Sequence, residues 1–409
     1  MLTAEQLRRY YPDLSAPDFA SALGVVHSRF STNTLPSWRL AHPFRYLAHN
    51  GEINALRGNR NWMRARYASL RSEIFGEELQ KMFPLLTESG SDSATFDNML
   101  QFLCVNGRSL PHAILMLIPE AWQGVKGMDP DLRAFYEYHA CLMEPWDGPA
   151  SIVFTNGTLL GAVLDRNGLR PSRWCLTRDG RVIHSSEAGA LTVRPVDVVR
   201  RGRIRPGRIF LIDIDKGRIV EDDEVKQGLL DQRPWRRWIQ NNLVDLAALP
   251  EPAGVRGPDH ETMLVRQHAF GYTLEDVAHT ITPMAARAEE PIGSMGSDIP
   301  LACLTDRPRL LYDYFKQLFA QVTNPPLDAI REELVTSLTT YLGPERNLIG
   351  ETPAHCRLIR LAQPILSNAD LEKLRQVGAG EMRAVTLPML FHADGGPGGL
   401  ERALLALCR

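Results

Sequence analysis

Clustered cysteines, long apolar runs and an excess of either charge are all wanting in this sequence. Its six cysteines stand at positions 104, 141, 175, 303, 356 and 408, none in a CxxC spacing. That spacing excludes a local metal-chelating cluster and leads us to expect isolated, reduced, mostly buried thiols. With 46 basic against 48 acidic side chains the formal charge is -2, so no global field draws nucleic acid or a membrane surface. No window approaches the ~20 apolar residues of a membrane span, and the charged start "MLTAEQLRRYYPDL" has no signal-peptide core. A soluble cytoplasmic protein is expected, without a nucleic-acid or membrane partner. What the chain does have is length: 409 residues, 44% of them hydrophobic, enough for two or three domains with large cores.

From Gly24 to about Ile219, short β-branched runs alternate with turn residues, as in "LGVVHSRF", "ASIVFTNGTLLGAVLDRNGLRP", "RWCLTRDGRVIHSS" and "GRIFLIDIDKGRIV". The turns "TNGT", "RDGR" and "DKGR" each join two such runs, so antiparallel hairpins should dominate this half. Helical segments interrupt them: "NALRGNRNWMRARYASLRSEIF", "DSATFDNMLQFLCVNG" with Asp92 and Ser93 as candidate caps, and "DPDLRAFYEYHACLME". Mixing without strict alternation implies an α+β class of layered antiparallel sheets faced by helices. Beyond residue 220 the pattern turns mostly helical, through "RPRLLYDYFKQLFAQV", "DAIREELVTSLTTYL" and "NADLEKLRQV", after a Pro/Gly-rich stretch at 250–261.

Three polar segments stand out together: "HSRFSTNT" (27–34), "LAHNGEI" (47–53) and "TESGSDSATFDN" (87–98). Taken singly, Arg29 fits an edge-strand charge, Asp92 a helix cap, and Asn50-Gly51 a hairpin turn. Taken jointly they make an amino-acid pocket. Arg29 offers a planar fork to an α-carboxylate and Asp92 a charge to an α-ammonium. Asn50 and Gly51 supply adjacent donors for a side-chain carbonyl that becomes an oxyanion in acyl transfer.

The string "HSRFSTNTLPSWRLAHPFRYLAHNGEINALRGNRNWM" closely resembles the glutaminase domain of the glutamate synthase family, class II glutamine amidotransferases of the N-terminal-nucleophile type. "LTESGSDSATFDNML", "WDGPASIVFTNG", "DRNGLRPSRW" and "SSEAGAL" extend the resemblance, and "EPIGSMGSDIPLACL" with "LYDYFKQLFAQVTNPPLDAIREELVTSL" resembles the start of that family's central domain. The resemblance implies an αββα fold over residues 1–240, a linker at 241–262 and part of a mostly helical α/β central domain at 263–409. It assigns Arg29 to the carboxylate of L-glutamine, Asp92 to its amino group, and Asn50 with Gly51 to the oxyanion hole. Thr32 and Asn33 fall at the carboxylate end. "DRNGLRP" resembles a loop behind the nucleophile, although Asp165 and Arg170 fit a structural turn and ion pair equally well. "EPIGSMGSD", Met295 included, stands either against the ammonia route or at a packed domain interface.

In this family the nucleophile is a cysteine at the first position of the mature chain, with its own amine as base. This sequence starts Met1-Leu2-Thr3 and has no cysteine before Cys104. Its first residues resemble an internal stretch of the family. The expectation is an internal fragment, its fold incomplete at the N-terminus, that binds glutamine but lacks glutaminase activity alone. No metal or cofactor is expected in this chain. The resemblance places FMN and an iron-sulfur cluster in further domains, and makes those domains, a small subunit or ferredoxin the partners. Two other classes stay in view: a non-catalytic glutamine- or glutamate-binding module, and another class II amidotransferase, against which "STNTLPSWRLAHPF" and "FAQVTNPPLDAIREE" speak.

Overall fold

A computed structural model describes residues 2–28, 37–87, 89–255, 257, 259–291, 301–307, 309–315, 327–379, 382–388 and 390–408. Its residues cluster into two units, one built from the first 250 residues with 325–366 and 373–409, the other from 251–324 with 367–372.

The hairpin signals form as expected. Strand β1 (Leu47–Gly51) pairs with β2 (Ala150–Thr155), β2 turns at Asn156-Gly157 into β3 (Leu159–Leu164), and β7 (Phe210–Asp213) turns at Gly217 into β8 (Arg218–Val220). Together they make an antiparallel sheet in the order β1-β2-β3-β7-β8. A second antiparallel sheet, β5-β4-β6, contains β4 (Arg173–Thr177), β5 (Val182–Ser185) and β6 (Val198–Arg203). Alternation along the strands builds two cores. Ile152, Phe154 and Val163 point into the large one, while Val153, Ala162 and Leu164 point with Trp174 and Phe210 into the smaller one. The layers are therefore helix, sheet, sheet.

The helix layer contains α2 (Leu56–Arg66), α3 (Asp92–Val105), α4 (Leu110–Leu117) and α5 (Pro130–Leu142), after a short α1 (Ala4–Tyr10) at the start of the chain. Every residue of α4 is buried, in keeping with a sequence apolar except for His112, and α3 buries Phe96, Met99, Leu100, Phe102 and Leu103. Asp129 caps α5 by accepting from the N–H groups of Asp131 and Leu132. Helices α6 (Asp222–Leu230) and α7 (Trp235–Asn242) are separated at Pro234, which cannot continue a helix.

Two helical expectations need correction. The segment after Asn54 leaves the helix at Arg66 and continues only as a 3-10 turn at Tyr67–Ser69. In "DAIREELVTSLTTYL" the helix ends at Val335, and Thr340–Leu342 forms β10 instead. Its β-branched and aromatic residues pair with β11 (Ile359–Leu361), which in turn pairs in parallel with β9 (Val244–Asp245). Other clasps tie this later segment to the helices. Arg66 meets Glu144 at 2.6 Å and Glu345 at 3.1 Å, and Arg360 holds Asp245 at 2.6 Å and Glu137 at 2.5 Å. In the other unit, taken by itself, short helices span Met263–Ala269, Asp276–Ile281 and Thr282–Arg287.

Buried histidines make the fold acid-sensitive. Burial pushes His112 down to about 3 and His184 down to about 4, and it lowers His139 well below its ordinary range. Unfolded histidine takes its proton near ~6.5, so below that pH the unfolded chain binds more protons than the folded one. The stability due to these rings is complete above pH ~6.5 and is lost as pH falls toward their folded values, by up to about 1.4 kcal/mol per ring and pH unit. Asp97, Asp165 and Glu144, raised by burial, oppose this from the acid end of the window. Thermal melts should therefore show Tm falling between pH ~6.5 and ~5; a flat or rising Tm would refute this.

Candidate active site

Asn50 and Gly51 do not make a hairpin turn. They close strand β1, opposite Ser151 and Ala150 of β2. Tyr46 O accepts from Thr155 N, and Glu52 N donates to Pro149 O. From Leu47 onward the antiparallel alternation directs the even-numbered backbone groups toward β2 and the odd-numbered N–H groups toward the open sheet edge, whereas Tyr46 N, just before the strand, donates to Asp97 Oδ1 (2.8 Å). On that edge Leu47 N donates to Asp97 Oδ1 (3.2 Å) and Ile53 N to Asp92 Oδ2 (2.9 Å). Gly51 N–H lies between them on the same edge, two residues or about 7 Å from Ile53.

Two glycines permit this geometry. A Cβ on Gly51 would lie 1.9 Å from Pro149 O, and one on Gly148 would lie 2.0 Å from Glu52 O. Only bare backbone fits where these segments cross. The crossing is held from behind by Asp165, whose Oδ2 accepts from Ala150 N (2.9 Å) while Oδ1 accepts from Asn167 N and Gly168 N (both 2.9 Å). Burial still keeps this carboxyl above its ordinary range. The "DRNGLRP" ion pair runs from Arg166 to Asp147 (2.8 Å), not through Arg170, whose Nε is buried without a hydrogen-bond partner among the described residues.

Asp92 opens α3. The N-cap is Ser91, whose hydroxyl accepts from Ala94 N at 3.1 Å; Asp92 and Ser93 are the first helical residues rather than caps. The helix dipole favours a carboxylate there. Asp92 Oδ1 accepts from Ser93 N (2.7 Å) and Ser93 Oγ (3.2 Å), and Arg60 anchors the preceding loop through Gly90 O (2.6 Å) and Thr95 Oγ1 (2.7 Å). The sequence pattern singles out neither His49 nor Asp97 and offers Ser93 only as a cap. The five-residue spacing of Asp92 and Asp97 was visible, but not that both would meet one strand edge. His49 Nδ1 lies 2.9 Å from Ser93 Oγ and 3.8 Å from Asp92 Oδ2. Burial pushes His49, and also His42, down to about 4.

The structure thus brings Asn50, Gly51 and Asp92 to one strand edge. Arg29, Thr32, Asn33 and Met295 lie outside the described residues. Cys104, the first cysteine, sits on α3 twelve residues beyond Asp92, about 18 Å along the axis, with its thiol pushed up to about 12 by burial. It has neither the position nor the ionisation of a nucleophile.

A second polar cluster is buried between α4 and α5. His112 Nε2 lies 2.7 Å from His139 Nε2 and 3.6 Å from Glu351 Oε1, a spacing within reach of one metal ion. Arg108 and Arg233 approach the same carboxylate at 3.3 and 3.6 Å. Two guanidinium charges compete with a dication for Glu351 and repel it, so the arrangement suits a structural ion-pair clasp.

Residues 1–238 match the class-II glutamine amidotransferases, and residues 265–409 match the glutamate synthase central domain. The chain belongs to the class-II glutamine amidotransferase family. Within it, the kinship is with glutamate synthases. The chain is 48% identical over 404 residues to the glutamate synthase [NADPH] large chain of Bacillus subtilis, covering 99% of this chain and 26% of the relative. It is 45% identical to the glutamate synthase [NADH] of Schizosaccharomyces pombe, over 100% of this chain and 20% of the relative. With the ferredoxin-dependent glutamate synthase 2 of Synechocystis the identity is 42%, over 97% of this chain and 26% of the relative. The chain thus spans between a fifth and just over a quarter of these relatives' length. No helix among the described residues is long and apolar enough to cross a membrane.

Proposed function

We propose that this chain carries the L-glutamine site of a glutamate synthase and, as the 409-residue polypeptide taken alone, binds glutamine without hydrolysing it. Arg29 takes the α-carboxylate, with Thr32 and Asn33 beside it, and Asp92 takes the α-ammonium. Asn50 Nδ2 and Gly51 N–H receive the side-chain carbonyl oxygen. The observation that carries this reading is the shared strand edge: Asp92 is held on Ile53 N, two residues past the free-facing N–H of Gly51. Preorganised donors of this kind stabilise an oxyanion because they need no reorientation as charge develops.

In the intact enzyme a thiol would add to the glutamine amide carbon, releasing ammonia for amination of 2-oxoglutarate. Cys104, the first thiol of the sequence, is half-buried and remote from this edge. FMN and an iron-sulfur cluster belong to the proposed larger assembly, with a small subunit or ferredoxin as electron-transfer partner. The six cysteines of this chain are free and scattered, with only Cys356 buried, unlike the closely spaced thiolates that hold an iron-sulfur cluster.

Calorimetric titration with glutamine, run beside an ammonia-release assay, tests the proposal. Binding without turnover is expected, and Asp92→Asn should weaken it about 10- to 100-fold, as befits loss of a charged hydrogen bond. Steady ammonia release that Asp92→Asn abolishes would overturn the inactivity; absence of glutamine binding would overturn the site.

A further inference from the structure

The interior of the site holds a histidine that the proposed reaction does not use. His49 immediately precedes Asn50, is 3% exposed, and shares with Leu47 the face of β1 that meets the helix layer. Its Nδ1 faces Ser93 Oγ, itself 2.9 Å away, and Ser93 Oγ lies 3.2 Å from Asp92 Oδ1. A hydroxyl has one proton to give, and an ionised carboxylate can only accept. If Ser93 donates to Asp92, then His49 must donate to Ser93, so its ring proton sits on Nδ1. The opposite tautomer would set two lone pairs facing each other at Asp92. It would also leave an Nε2–H donor buried without a partner, since His49 Nε2 has none among the described residues. A buried, unmet donor costs more than an unmet acceptor.

We infer that His49 and Ser93 are positioning residues: the chain His49 Nδ1–H to Ser93 Oγ–H to Asp92 Oδ1 aims the Asp92 carboxylate at its ligand and locks it to the strand that carries Asn50 and Gly51. Asp92 is then held on one oxygen by this relay and on the other by Ile53 N–H. Its remaining lone pairs are directed to a cation on the open edge. Burial disfavours a charge on His49 most, and together with Arg170 and His27 it outweighs the Asp92 carboxylate, which favours one, so the ring is held neutral. The site's strand and the site's acid are thereby one rigid unit, so a shift of α3 relative to β1 would change ammonium binding and oxyanion geometry together.

The inference rests on Asp92 being the ammonium ligand, and its test has an arm that does not. Nitrogen NMR of the full chain with isotope-labelled histidine at neutral pH should show His49 as the Nδ1–H tautomer, less common in free histidine. Ser93→Ala should release it toward Nε2–H. In the binding arm, Ser93→Ala and His49→Leu should each weaken glutamine about tenfold. The double variant should lose little more than either single one. His49→Asn, whose amide N–H falls near the place of Nδ1–H, should restore most of the affinity, which a purely packing role would not produce. An Nε2–H tautomer in the unaltered chain overturns the relay. So does wild-type affinity in both single variants. If the unaltered chain binds no glutamine, the proposed function fails while the tautomer still decides the relay.

Discussion

Gly51→Ala should abolish glutamine binding and destabilise the fold. The added methyl would lie 1.9 Å from Pro149 O, 2.8 Å from Pro149 C and 2.9 Å from Ala150 Cα. All three are backbone atoms. No rotamer change relieves the contact, so either β1 separates from β2 at its end or the 147–150 segment moves. Moving it disturbs the bonds from Glu52 N to Pro149 O, Ala55 N to Asp147 O and Ala150 N to Asp165. We expect a loss of about 3 kcal/mol or more, at the upper end of overpacking penalties. On the proposed function, glutamine heat should vanish from the titration even in the fraction that remains folded, because the Gly51 N–H would no longer face the place proposed for the side-chain carbonyl. Gly58→Ala is the control. It sits in α2 with nothing within 4 Å of its would-be Cβ, and it should leave stability unchanged or raise it by up to about 1 kcal/mol. Equal melting temperatures for Gly51→Ala and the unaltered chain would refute the crossing-backbone account.

Glu351→Gln should cost about 3–5 kcal/mol, the penalty for breaking a buried pair while leaving its partner charged. Arg108 has a side chain only 4% exposed, and Glu351 is the carboxylate against it, at 3.3 Å. Arg108 otherwise donates to the Leu348 carbonyl at 3.0 Å. Its charge would have no counterion after the change, and His112, 3.6 Å from the same carboxylate, would remain neutral. Urea unfolding measures the loss. The double variant Arg108→Met/Glu351→Leu should recover much of it, since apolar replacement of a buried ion pair is often neutral or favourable. Because Glu351 belongs to the segment that runs into β11, the single variant should also expose residues 343–358 to limited proteolysis. A change within 1 kcal/mol would place the pair among weak, solvent-screened ones.

The hairpins were legible because turn dipeptides with glycine favour chain reversal: Asn156-Gly157, Asp179-Gly180 and Lys216-Gly217 each lie in the loop joining the strands expected of them. The registers Thr155 with Leu160, Leu176 with Val182 and Asp213 with Arg218 make these loops longer than the two residues expected. The same local rule misled at Asn50-Gly51, where the pair closes a strand lying beside residues one hundred positions later. A turn dipeptide states what the backbone can do, whereas pairing decides what it does. Ser91 replaced Asp92 as cap for a similar reason. Both residue types suit the position, and only the path of the loop, anchored by Arg60, selects between them.

By itself, the sequence determined the family, the antiparallel hairpins of the first half and the polar residues from which a glutamine site is proposed. These follow from local conformational preference and from side-chain chemistry, both of which travel with the residue. Tertiary structure alone decided that Gly51 must be glycine, that Asp92 is held on Ile53 N, and that His49 stands behind it through Ser93. It also decided that Thr340–Leu342 becomes a strand joined through β11 to Val244–Asp245. Each of these depends on which backbone groups remain unpaired once distant segments meet, and hydrogen-bond partners and steric room are properties of the assembled sheet edge rather than of any residue in it.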